Sequence, residues 1–259
     1  MPKNKIDWNK VAQQYDTYTV GGFNPAYLEL LNFTRSRFNQ LKPGSLVADI
    51  GGGTANFSLM LAEKFPESTF VVFDNSIQMM KIGEKKASKL GLENIDFIEG
   101  DAEEVQRITD KYGKGLSHAL MIHALYTTGD YFDPKPKRIL KKIHDNLGEQ
   151  TSQLLLMDIN KKFITNDWIK YSIKNAYTMF RENGKGPIKA IYDVVKLFIE
   201  NDQAKWVNRE IDRKQKDGEY LLCNLKELEN LVIDAGFSAI IESTDRMYRG
   251  RDNVILARK

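Results

Sequence analysis

Leu46-Val47-Ala48-Asp49-Ile50-Gly51-Gly52-Gly53-Thr54 is the stretch that decides the fold. A short apolar run carrying one acid breaks into three glycines, and a helix-like segment, Thr54–Phe65, follows and stops before Pro66. Strand, tight turn and helix in that order open a β-α unit. The pattern recurs downstream. Thr69–Asp74, Ile95–Glu99, Ala119–Ile122 and Leu154–Asp158 are short and apolar, as strands buried on both faces are. Ser76–Leu90 ends at Gly91 and Lys135–Leu147 ends at Gly148, both positions suited to helix termination. The alternation predicts an α/β fold, a doubly wound and mostly parallel sheet. The end of the chain breaks the rhythm. After a helix at Leu225–Ala235, the runs Ser238–Glu242 and Val254–Ala257 are separated by eleven residues including Gly250. That is short for a helical crossover, so this pair is expected to be antiparallel.

Outside this core, Asn24–Gln40 reads as a helix with Asn24 as N-cap and Pro25 in its first turn. The stretch 160–217 is helix-like and too long for a simple loop. The expected organisation is a helical cover at 1–45, a cofactor-binding core at 46–159, a helical cap at 160–217 over the acceptor site, and a helix and strand pair at 218–259 that complete the core. A net charge of +3 is too small to argue for nucleic acid by itself. The single cysteine, Cys223, excludes an internal disulfide and has no partner for zinc. No secretory signal follows the first lysines, and no apolar run approaches the roughly 18 residues of a membrane span, so a soluble cytoplasmic protein is expected.

In open α/β sheets ligands bind beyond the carboxyl ends of the strands, which directs attention to the residues there. Gly51, Gly52 and Gly53 permit a tight turn and close backbone approach. A nicotinamide dinucleotide is the first rival, but its G-x-G-x-x-G pattern fails at Asn56, where the third glycine is missing. The carboxylate of Asp49 also suits an ammonium better than a diphosphate. S-adenosylmethionine carries an ammonium and a sulfonium and no phosphate. Asp74, followed by Asn75 and Ser76, can accept from ribose hydroxyls or cap the next helix. Asp101, followed by Ala102, can accept from an adenine amino group or act as another cap.

These pieces, Val47–Thr54, Val72-Phe73-Asp74-Asn75-Ser76 and Glu99-Gly100-Asp101-Ala102, together resemble a class I S-adenosylmethionine-dependent methyltransferase of the broad ubiquinone and menaquinone biosynthesis group. Ala235-Gly236-Phe237 and the lead segment Trp8–Asp16 are also similar to that family, so the resemblance covers roughly 8–159 and 218–259. It implies a seven-stranded sheet with the last strand antiparallel. It implies a glycine loop facing the methionine part, Asp74 on the ribose, Asp101 beside adenine, and a lead segment, with Tyr15, covering the cofactor. Many relatives carry glycine where Ala55 stands, and the usual Pro-Gly-Gly before the fifth strand is replaced by Gly148-Glu149-Gln150-Thr151-Ser152.

The fourth strand leads into Ile122-His123-Ala124-Leu125-Tyr126, expected beside the transferred methyl. His123 is a candidate base for a hydroxyl acceptor or a packing group; Tyr126, Tyr15 and Tyr18 either orient an acceptor or pack. Asn24-Pro25-Ala26-Tyr27 resembles the N-P-P-Y signature of base-methylating enzymes, but it precedes the glycine loop and reads as a helix start. A small-molecule acceptor is expected, not nucleic acid, and no metal; the alternatives are a protein or RNA methyltransferase, or a non-catalytic S-adenosylmethionine-binding scaffold. The 160–217 stretch holds Trp168, Tyr192 and Trp206 and carries 13 Lys and Arg against 8 Asp and Glu. That composition fits a helical layer whose aromatics pack on the sheet edge with lysines in solvent, or a lid over an apolar or aromatic acceptor that can bear an acidic group. The oligomeric state is left open.

Overall fold

A computed structural model describes residues 25–39, 41–129, 133–160, 220–247 and 252–259, with single positions at 8, 9, 12, 15, 16, 174, 177, 186, 188, 189, 192, 213, 214, 216 and 217. Most of the expected cap at 160–217, the Asn24 cap and Tyr18 lie outside the described residues.

The described elements are α1 (Pro25–Arg37), β1 (Leu46–Ile50), α2 (Asn56–Lys64), β2 (Thr69–Asp74), α3 (Ile77–Leu90), β3 (Ile95–Glu99), α4 (Gln106–Tyr112), β4 (His118–Ile122), α5 (Pro134–Asn146), β5 (Gln153–Ile159), α6 (Leu225–Asp234), β6 (Ala239–Met247) and β7 (Asp252–Arg258). The strands form one sheet in the order β3-β2-β1-β4-β5-β7-β6. β1 to β5 are parallel, while β7 runs antiparallel to both β5 and β6. The doubly wound expectation and the antiparallel tail are both borne out. The last two strands are longer than the apolar runs alone indicate, because β6 is a half-exposed strand whose polar residues still pair.

Alternation along β1 sorts the core into two layers. Leu46, Ala48 and Ile50 face one side with α5 and α6, among Ile139, Ile143, Leu228 and Val232. Val47 faces the other with Tyr27, Leu30 and Leu61 of α1 and α2. Asp49, next but one after Val47, therefore lies on the α2 side of the sheet, at its carboxyl edge. The order reverses between β1 and β4, which opens the crevice where ligands of such sheets bind.

Local sequence explains the helix ends. Ser76 caps α3 by accepting from Met79 N at 3.3 Å, and Gly91 ends it at φ +67°. Asn224 and Glu227 make a reciprocal capping box on α6. The helix after the glycine loop begins at Asn56, later than the sequence indicates, because Ala55 is left-handed at φ +66°. This is the position where glycine was expected from the resemblance, and the positive φ is the physical reason.

Asn253 ties the antiparallel strand to its surroundings. Its Oδ1 accepts from Asn160 Nδ2 and its Nδ2 donates to the Cys223 carbonyl, both at 2.8 Å and both buried. Asn253→Val removes one hydrogen bond from each partner and should cost roughly 1–3 kcal/mol, read as a lower urea midpoint at unchanged m.

Candidate functional site

At the carboxyl edge of β1, β2 and β4 lies a cavity of about 620 Å³. Every candidate named from the sequence lines it except Tyr126 and Tyr18, the latter outside the described residues. Its floor is the glycine loop. Gly51 and Gly53 are left-handed, at φ +72° and +53°. A Cβ on Gly51 would meet Ala124 Cβ at 2.5 Å, and one on Gly52 would meet Asp49 Cγ at 2.7 Å. The loop is thus glycine for reasons of backbone and of space together.

Asp49 is 2% exposed and its Oδ2 accepts from Ser58 Oγ at 2.7 Å. Burial pushes its carboxyl up to about 6, with the Ser58 hydroxyl opposing and Asp74 adding. Asp74 accepts from Gly53 N at 2.9 Å and Ser76 N at 2.7 Å, so it braces the glycine loop and the head of α3 while facing the cavity. Burial raises its carboxyl too, against the backbone N–H groups it accepts from. Asp101 caps the turn Ala102–Glu104 through Glu103 N at 3.0 Å and accepts from Lys135 Nζ at 2.9 Å. It fills the capping role, and its cavity position leaves the adenine role in play because a carboxylate has lone pairs for more than two donors.

The lead segment closes over this floor. Asn9 Oδ1 accepts from Ser76 Oγ at 2.9 Å and Gln78 N at 3.1 Å. Asp16 accepts from Thr54 Oγ1 at 2.6 Å, Asn56 Nδ2 at 3.2 Å and Lys86 Nζ at 2.7 Å. The protein's own carboxylate therefore sits at the start of α2, the end of a helix that in a dinucleotide fold receives a phosphate.

Beyond the loop, the chain leaves β4 through His123, which adopts φ +53°, an uncommon conformation for a residue with a side chain. His123 Nε2 lies 2.9 Å from Asp252 Oδ2, and Asp252 is wholly buried at the start of β7. Asp158, at the end of β5, is 2% exposed and stands behind the same ring. Burial alone would lower the imidazole's basicity, but the charge and hydrogen bond of Asp252, with the charge of Asp158, leave its pKa raised. Burial also drives the Asp158 carboxyl well above its ordinary range, with His123 opposing and Asp252 adding. One oxygen of each acid, Asp158 Oδ1 and Asp252 Oδ1, has no hydrogen-bond partner.

Tyr126 is buried behind the wall with its ring edge-on to Tyr220 at 5.1 Å, and it is Tyr220 that lines the cavity. Tyr220, Lys214, Asp158 and Asp252 were not singled out from the sequence. Asp158 closes an apolar run as Asp49 and Asp74 do, and that signal could have marked it. Among the described residues no group of three His, Cys, Asp or Glu could hold a metal, and no helix is long and apolar enough to cross a membrane.

A family model described as a methyltransferase domain matches residues 41–212. The chain is 37% identical over 104 residues to ribosomal RNA small subunit methyltransferase G of Parabacteroides distasonis, covering 40% of this chain and 45% of that protein. It is 36% identical over 67 residues to demethylmenaquinone methyltransferase of Listeria monocytogenes, covering 26% and 28%. These matches span less than half of the relatives' own length. A methyltransferase structure from Aquifex aeolicus superposes with a TM-score of 0.54 at 15% identity, covering 98% of both chains, and supports the fold.

The His123 geometry has a direct readout. A ring titration by NMR should place His123 above the ordinary imidazole value near 6.5, and Asp252→Asn should lower it.

Proposed function

Because the chain belongs to the methyltransferase-domain family, we propose that it moves the methyl group of S-adenosylmethionine to a small-molecule acceptor that loses a proton in the reaction. The cofactor supplies an electrophilic methyl on a sulfonium; the residues supply binding, alignment and a place for the proton.

The cavity suits a cationic ligand without phosphate. Asp49 is a buried acid that accepts from Ser58, through its hydroxyl and its backbone N–H, and the start of α2 already holds Asp16, paired with Lys86. In this reading Asp49 and the Gly51–Gly53 loop hold the amino-acid end. Asp74 and Asn75 take the ribose, Asp101 and Ala102 lie at the adenine, and Ile122 and Tyr15 pack on the nucleoside. The observation that carries the acceptor side is the His123–Asp252 pair at 2.9 Å. Nε2 bound to a buried carboxylate fixes the ring, and Nδ1 is the atom left to take a proton from a hydroxyl or amine. Tyr126 is read as packing support for Tyr220, and the 160–217 segment, which contributes Lys214 to the wall, as the cover of the acceptor end.

Calorimetry with S-adenosylmethionine should show binding, and S-adenosylhomocysteine should form with phenolic or amino acceptors. Absence of binding overturns the reading, and methyl incorporation into ribosomal RNA in place of small acceptors overturns its acceptor half. His123→Gln should lower kcat by about 10²–10⁴-fold at unchanged cofactor affinity. A second expectation concerns pH. Cofactor binding requires Asp49 ionised, and its carboxyl in the free protein titrates at about 6. Affinity should therefore hold above that pH and weaken below it, approaching about tenfold per pH unit. Asp49→Asn should bind weakly and flatten that slope.

A further inference from the structure

We infer that Lys135 is the positioning residue of the adenine end of the cavity: it holds the Asp101 carboxylate in the orientation that distinguishes adenine from other purines. The inference rests on the reading that Asp101 lies at the adenine, and it extends that reading to a residue on α5.

Asp133-Pro134-Lys135 opens α5. Asp133 is the N-cap and accepts from Lys135 N at 2.8 Å, and Pro134 fixes the backbone of the first turn. From that start the Lys135 side chain reaches the turn after β3. Its Nζ lies 2.9 Å from Asp101 Oδ2 and 3.7 Å from Glu103 Oε2, and the side chain is 19% exposed. Arg138, one turn further along α5, holds the same stretch from outside, with Nε 2.7 Å from Glu103 Oε1. Asp101 and Lys135 are the members of this group that line the cavity.

The two donors to Asp101 take different oxygens. Oδ1 accepts from Glu103 N at 3.0 Å, and Oδ2 accepts from the ammonium at 2.9 Å. A carboxylate held at one oxygen can still turn about its last bond; donors on both oxygens fix its plane and leave each a further lone pair. The Asp101 side chain is 42% exposed, so an ion pair there adds little to stability. Its effect is on where the accepting oxygens stand. Held in this way, Asp101 can accept from the 6-amino group of adenine. Against the 6-oxo group of hypoxanthine it sets lone pair against lone pair, and that base is disfavoured. A carboxylate that turns away loses the bond to the first base and relieves the repulsion of the second.

The test is calorimetry on the full chain with S-adenosylhomocysteine and S-inosylhomocysteine, in which oxygen replaces the 6-amino group. The wild type should prefer the adenosyl form about tenfold or more. Asp101→Ala should bring that ratio to about one. Lys135→Met should lower it by at least about threefold, and Lys135→Arg, which keeps the charge, should retain most of it. Thermal midpoints of the ligand-free variants check folding. A ratio unchanged or raised in Lys135→Met, even with both affinities reduced together, overturns the inference, because a lysine that only braces α5 would act that way. A wild type without preference, or an Asp101→Ala variant that keeps it, overturns the adenine placement of Asp101 as well, so the two readings fail separately.

Discussion

A carboxylate taken out of water at the end of β1 is the constraint around which the rest of the cavity is arranged. Asp49 cannot be moved outward, because strand alternation fixes it on the α2 side of the sheet. It is held by Ser58, whose hydroxyl and backbone N–H are presented from the first turn of α2. Gly52 must lack a side chain because the Asp49 carboxylate occupies the space. Gly51 must lack one because the chain leaving β4 passes there at Ala124. A buried acid of this kind weakens the free fold, and a ligand bringing a positive charge would recover part of that cost.

The second dependence is on strand direction. In a parallel sheet every strand brings its carboxyl end to the ligand edge. β7 runs the other way, so its amino end arrives at that edge, and with it Asp252. The pairing of Ile159 with Asp252 and Asp158 with Asn253 brings both acids, one residue out of step, to the edge where His123 lies. The left-handed turn at His123 is the complementary adjustment, since it turns the ring from the end of β4 toward that acid.

What the sequence made legible follows from the range of the interactions involved. The glycine loop, Asp74 and Asp101 each announce themselves within a few residues of an apolar run, because strand, turn and cap are local events. All of them line the cavity. Of the two roles open to Tyr126, packing is the one seen: a short 3₁₀ turn at Leu125–Thr127 carries it behind the wall, and nothing in the local pattern distinguishes inward from outward there. Tyr220 and Lys214 reach the cavity from 94 and 88 residues beyond Tyr126, and Asp252 reaches His123 from 126 residues beyond Tyr126; no periodicity carries that information. Helix α4 was passed over because its seven residues include few apolar ones to set a period.

The latch at Asp16 has a bearing on how the molecule is made. Residues 8–16 leave the ribosome before any part of the sheet, yet their anchors are Thr54, Asn56 and, last to emerge, Lys86. Until α3 has been synthesised the segment has no complete dock, and it must wait beside the exit tunnel while its own core is built. The contacts of Asp16 with Thr54, Asn56 and Lys86 are therefore complete only once α3 has formed.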